Sequence, residues 1–219
     1  MGAARLSSII RKVAMALSGL FLIVFLLQHF AINLTSVFSE SLFNELSHFM
    51  GTNPLVQFAL QPVLIFGVMF HFIMGFVLEW QNRRARVVSY ASYKGSANAS
   101  WMSRNMLVSG AVVLSFLVLH FYDFWVPEIN YKYIEFLPED PNRYYEELLH
   151  KFEDPIRVGL YVISFVFLAL HLLHGFSSAF QSLGVNNKYT PTIKGFGKLY
   201  AIAIPLGFAG IAIFHYLNH

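Results

Sequence analysis

His29, His71, His120 and His171 each sit inside a different long apolar run of the chain. An imidazole is costly to leave unpaired in hydrocarbon, so histidines at such positions usually hold a ligand or a proton. Imidazole nitrogens that face one another across a helical bundle suit axial ligation of a transition metal, which makes metal-centred electron transfer the chemistry open to this set. The 219 residues include no cysteine. The chain therefore supplies no ligand for an iron–sulfur cluster, no thioether attachment for a haem and no disulfide.

Counting along the runs gives the depth of each histidine. Runs of 18 or more mostly apolar residues, the length that spans a bilayer, lie at 13–33, 55–79, 105–126, 156–180 and 199–217. Because successive spans alternate in direction, His29 and His120 fall towards one side of the membrane and His71 and His171 towards the other. The two levels differ by roughly 10 Å at about 1.5 Å per residue. The four residues thus sort into two pairs, each from two parallel helices, as two bis-histidine b haems require. Zinc would want four ligands at one depth, and no Asp, Glu or Cys accompanies these histidines at the right level. Gly75 and Gly175 each follow a histidine by four residues, and Gly19 and Gly110 each precede one by ten. A flat macrocycle leans on a helix where side chains are small, so these glycines are expected to pack against it, although glycine also serves ordinary packing in membrane helices. His174 shares nearly the same helix face as His171 and is the rival ligand or a haem neighbour. His48, His150, His215 and His219 are read as loop or end residues without a metal.

The elements that must position these residues follow from composition. The chain is 56% hydrophobic and 12% charged, with 23 phenylalanines and a mean hydropathy of +0.54. That composition belongs to a polytopic all-α membrane protein. One domain is expected over residues 1–219, five transmembrane helices in a bundle. The first run follows Arg5, Arg11 and Lys12 but is too long for a signal-peptide core and is expected to remain as a helix. With the N-terminus in the cytoplasm, eleven basic residues fall inside and four, Lys132, Arg143, Lys151 and Arg157, fall outside, a positive-inside bias. The net charge of +3 thus describes topology, and nothing calls for nucleic acid. Residues 34–54 contain no Lys or Arg, and the stretch SESLFNELSHFM within them is expected to form a short interfacial helix. The outer gap 127–155 is the most irregular and reads first as a solvated acidic loop, within which 144–152 could form a short surface helix. Pro62 and Pro205 are expected to kink their spans. The basic inner loop reaching to Ser103 could dock a partner or simply set the orientation.

Four segments carry a resemblance: SGLFLIVFLLQHF around His29, MFHFIMGFVLEWQ around His71, SGAVVLSFLVLHFYDFW around His120 and LHLLHGFSSAFQSLG around His171. They resemble the five-helix dihaem cytochrome b membrane subunit of succinate:quinone oxidoreductases, which include quinol:fumarate reductases, most closely the single-subunit anchor of Bacteroidetes-like bacteria. The resemblance covers nearly the whole chain. It implies that His29 and His120 bind the outer haem iron and His71 and His171 the inner one, and the spacing to Gly175 and Gly184 favours His171 over His174. It further implies a flavoprotein with covalent FAD and an iron–sulfur subunit on the cytoplasmic face, a quinone such as menaquinone near the outer haem, and residence in a bacterial cytoplasmic (inner) membrane. The chain would be enzymatic as the quinone-reactive subunit, with the dicarboxylate chemistry on a partner, and a higher oligomer of the complex is compatible with this.

Two departures bear on mechanism. Some fumarate-reducing members carry a proton-conducting Glu two residues before the fourth ligand, where this chain has Ala169. Some also carry a quinone-site Glu where this chain has Gly51, leaving Glu40, Glu45 or His48 as substitutes. Asp123, three residues after His120, is the preferred quinone-side proton relay, against the plainer reading of a carboxylate that snorkels to the interface. The histidine levels alone would also fit a dihaem cytochrome b that anchors another oxidoreductase, such as a hydrogenase or formate dehydrogenase. A haem-free anchor or transporter would leave the two levels unexplained.

Overall fold

A computed structural model describes residues 8–84 and 105–218. Arg5, Arg86, Lys94, Arg104, most of the inner loop and His219 lie outside the described residues. Five helices are long and apolar enough to cross a membrane, and the chain is an all-α, multi-pass membrane protein. This is the outcome hydrocarbon imposes, since a helix satisfies every interior backbone donor and acceptor within itself. The spans are α1 (Ser8–Thr35), α3 (Val56–Arg84), α4 (Met106–Ile134), α6 (Pro155–Ser182) and α7 (Thr190–Leu217). Two shorter helices, α2 (Glu40–Thr52) and α5 (Arg143–Phe152), cover one end of the bundle. We call that end outer and the opposite end, with Arg11, Lys12, Arg83 and Arg84, inner.

Local chemistry sets the helix ends. The Ser39 side chain accepts the Leu42 N–H at 3.2 Å and opens α2, and the Asp154 carboxylate accepts the Ile156 N–H at 2.9 Å ahead of Pro155, both N-caps of the usual kind. Gly184, at φ +77°, takes the left-handed turn just beyond α6, where a side chain would be strained. Three spans run further than their apolar cores. α3 continues to Arg84 through an i,i+4 pair of Arg83 with Glu79 at 2.7 Å. α7 starts at Thr190, ahead of the expected residue 199. α4 continues to Ile134 through two π turns, Phe121–Trp125 and Asn130–Ile134, which shortens the expected irregular gap. Pro62 sits directly after a third π turn, Val56–Leu60, whose wider ladder accommodates the missing N–H, whereas Pro205 is buried inside α7.

The four spans that carry the histidines form a ring, α1 beside α3 and α6, and α4 beside α3 and α6. α7 stands outside the ring and packs on α6 and α1. The densest core therefore lies between α6 and α7, around Tyr161, Phe165, Phe176, Tyr200, Ile204 and Phe208. The Tyr200 hydroxyl donates to the Ile23 carbonyl at 2.6 Å and ties α7 to α1. The close approach requires glycine at two places. A Cβ on Gly197 would come within 2.3 Å of the Phe176 ring, and one on Gly207 within 2.4 Å of the Phe30 ring.

Gly197→Ala should therefore wedge α7 away from α6 and cost about 1–3 kcal/mol, the usual penalty of overpacking. Gly159→Ala, with nothing within 4 Å of the added carbon, should be neutral or slightly stabilising, since alanine is the better helix former. Thermal unfolding of the two variants in detergent, compared with the parent, checks the difference.

Candidate metal centre

The ring of four spans is built from a repeated pattern. Met15, Ser18, Gly19, Phe25 and His29 on α1 recur at the same spacings as Met106, Ser109, Gly110, Phe116 and His120 on α4. His71 and Gly75 on α3 likewise recur as His171 and Gly175 on α6. The contacts repeat as well, so the bundle has an approximate two-fold axis along its length. Phe25 stacks on His29 at 5.4 Å between centroids and Phe116 on His120 at 5.7 Å. A Cβ on Gly19 would meet His71 Cε1 at 3.3 Å, and one on Gly110 would meet His171 Cε1 at 3.7 Å. Gly75 and Gly175 face the Met15 and Met106 methyl groups, each at 3.6 Å from an added Cβ.

The structure brings the histidines together in two pairs. The His29 and His120 rings lie 5.7 Å apart at 84°, and the His71 and His171 rings 6.3 Å apart at 67°. Gly19, ten residues before His29, lies beside His71, so the two levels differ by roughly 10–15 Å along the helices. No ring contact joins His174 to His71 among the described residues, which leaves His171 as the residue opposite it.

A metal–imidazole bond near 2 Å on each side of one ion places two imidazole centroids about 6 Å apart, which both pairs approach. Among the described residues, no three His, Cys, Asp or Glu side chains converge on a point. Each pair could thus serve a metal that brings most of its ligands with it, as a porphyrin-bound iron does. The buried His120 Nδ1 makes no hydrogen bond. The glycines beside His71 and His171 leave flat, side-chain-free helix surface next to the inner rings.

Asp123 lies in the π turn that follows His120, and π turns often mark functional positions. The structure seals it more deeply than its place near a helix end implies. It is 1% exposed, Tyr161 donates to its Oδ2 at 2.8 Å, and Arg157 Nη1 lies 3.2 Å from Oδ1. Both partners come from α6, which links the outer ends of α4 and α6. Oδ1 itself accepts no aligned hydrogen bond.

Beyond the outer pair, a cleft of about 250 Å³ opens between α2, α4 and α5 and is lined by His48, Tyr131, Lys132, Tyr133, Arg143 and Tyr144. Glu128 bridges Lys132 and Arg143, and Glu147 adds a second bond to Arg143 at 2.6 Å. Burial opposes the Arg143 charge, but the Glu128 and Glu147 carboxylates outweigh it and hold the guanidinium above its usual range. Burial, reinforced by Glu128, pushes the Tyr144 phenol up to about 12. Of the three acidic or imidazole side chains expected to substitute in the first outer loop, Glu40 and Glu45 are exposed. Only His48 faces this cleft.

His215, read as an end residue, lies in the last turn of α7 and is 1% exposed. It bonds the Ser36 hydroxyl at 2.8 Å beneath the Tyr145 ring. Among the described residues no second histidine faces it, and it closes the outer end of the bundle. The Asp123 partners Arg157 and Tyr161 have no local sequence signal. Ser18 and Ser109, which touch His71 and His171, were missed in the sequence, although the repeated pattern marks them.

No family model, curated protein or solved structure matches the chain.

Removing one partner of a buried polar contact strands the other. Tyr161→Phe should cost about 1 kcal/mol and Asp123→Ala about 2–3 kcal/mol, and the double variant should fall short of their sum because the two groups share one hydrogen bond. Denaturant unfolding of the three variants in detergent measures the coupling; strict additivity would contradict the contact.

Proposed function

We propose that this chain is the membrane-anchor cytochrome b subunit of a succinate:quinone oxidoreductase. It would carry electrons between an iron–sulfur subunit on the cytoplasmic face and a quinone, menaquinone or another, near the outer histidine pair. The observation that supports the electron-transfer part is the pairing of four intramembrane histidines at two levels, with centroid separations of 5.7 and 6.3 Å. The succinate part rests on the resemblance of the four histidine segments. The same reading places the inner end in the cytoplasm of a bacterial inner membrane.

His29 and His120 would hold the outer haem b and His71 and His171 the inner one. Such a group supplies a one-electron couple at a site of low dielectric. The chain's own part is to fix ligand geometry, exclude water and manage protons. The phenylalanines stacked on His29 and His120 restrict their ring rotation. Quinone reduction takes up two protons with two electrons, and Asp123 is the buried carboxylate between the outer pair and the outer surface. We assign it to the quinone-side proton relay, held in place by Tyr161 on Oδ2 and by Arg157 beside Oδ1. The cleft at His48 and Tyr144 is the polar opening at the same end.

His29→Ala should remove about half of the haem absorbance while succinate oxidation with a soluble dye continues on the partner subunits. A spectrum identical to that of the parent would overturn the ligand assignment. A tagged chain that brings down a hydrogenase or formate dehydrogenase instead of a covalent-FAD subunit would transfer the anchor to that partner.

A further inference from the structure

The inner and outer histidine pairs differ in what holds their second ring nitrogen. Ser18 Oγ lies 2.8 Å from the Met15 carbonyl and 3.0 Å from His71 Nδ1. Ser109 Oγ lies 3.0 Å from the Met106 carbonyl and 3.4 Å from His171 Nδ1. A hydroxyl has one hydrogen and a carbonyl only accepts, so each serine spends its hydrogen on the helix carbonyl three residues back. The contact to histidine then requires Nδ1–H as donor and the serine oxygen as acceptor. That fixes the tautomer and leaves Nε2 with a free lone pair. Gly19 and Gly110, next to the serines, let the rings approach closely enough for the contact. At the outer level the arrangement is different, because His120 Nδ1 is buried without a partner and the rings rest on Phe25 and Phe116.

We infer that Ser18 and Ser109 are positioning residues that set the tautomer and the ligand strength of the inner histidine pair, from opposite sides, while no hydroxyl among the described residues plays this part at the outer pair. This rests on the haem assignment made above. A hydrogen bond from Nδ1–H makes the imidazole a more basic ligand. A more basic ligand favours the oxidised metal, so the serines hold the inner couple at a lower potential than the same ligands would have without them. The shorter contact at Ser18 makes it the stronger of the two.

The test is a redox titration of the haem absorbance of the purified complex, with the outer couple identified as the one lost in His29→Ala. Ser18→Ala should shift the inner couple upward and leave the outer one in place. Ser109→Ala should shift the same couple by less. Ser18→Thr, which keeps the hydroxyl, should restore the parent value, a rescue that a packing role alone would not produce. Loss of the inner haem alone in Ser18→Ala would also support the inference, because such partners are worth about 10- to 100-fold in metal affinity. If Ser18→Ala does not accumulate, Ser109→Ala reads the same couple through the opposite ligand. Two retained couples with neither displaced, a displaced outer couple, or a threonine variant that behaves like alanine would each overturn the inference and leave the haem assignment standing. A parent complex without haem would overturn both.

Discussion

The structure depends on the cost of leaving a polar atom unpaired in a bilayer. Backbone groups meet that constraint by forming helices, and each buried side chain meets it in its own way. The inner histidines bond two serine hydroxyls, His215 bonds Ser36, and Asp123 takes Tyr161 and Arg157. In the outer pair, by contrast, His120 keeps an unbonded Nδ1. Polar atoms that remain unpaired in such surroundings mark where a bound group or a proton is expected to complete the site.

The bundle separates these tasks in space. The four spans that carry the histidines repeat one another in pairs, so both levels are built from two copies of one design. α7 breaks that symmetry. Among the described residues it adds no facing histidine, and it packs through Gly197 and Gly207 against α6 and α1, which gives the repeated ring one rigid wall. At the outer end, Glu128 clasps Lys132 and Arg143, and the buried Asn44 side chain accepts the Tyr145 N–H at 2.8 Å. Those contacts hold α2 and α5 over the pair nearer that surface.

Much of the architecture was legible in the sequence, since apolar length reveals spans and alternating direction assigns depth. The pairing of His29 with His120 and of His71 with His171 followed from that count alone. Helix ends were harder to read because helices outlast the hydrocarbon wherever polar residues keep pairing at i,i+4, as Glu79 with Arg83 and Glu128 with Lys132 do. The burial of His215 had no sequence signal, because Ser36 and Tyr145, remote in sequence, cover it. The Asp123 partners were invisible for the same reason, lying on another span with no motif to announce them.

The most direct measurement is a dithionite-reduced minus oxidised visible spectrum of the complex purified in detergent, with haem quantified against protein as the pyridine haemochrome. Two b haems per chain are expected, one for each histidine pair. A colourless preparation would contradict the central claim and leave the paired histidines as hydrogen-bonding and packing residues of a structural anchor.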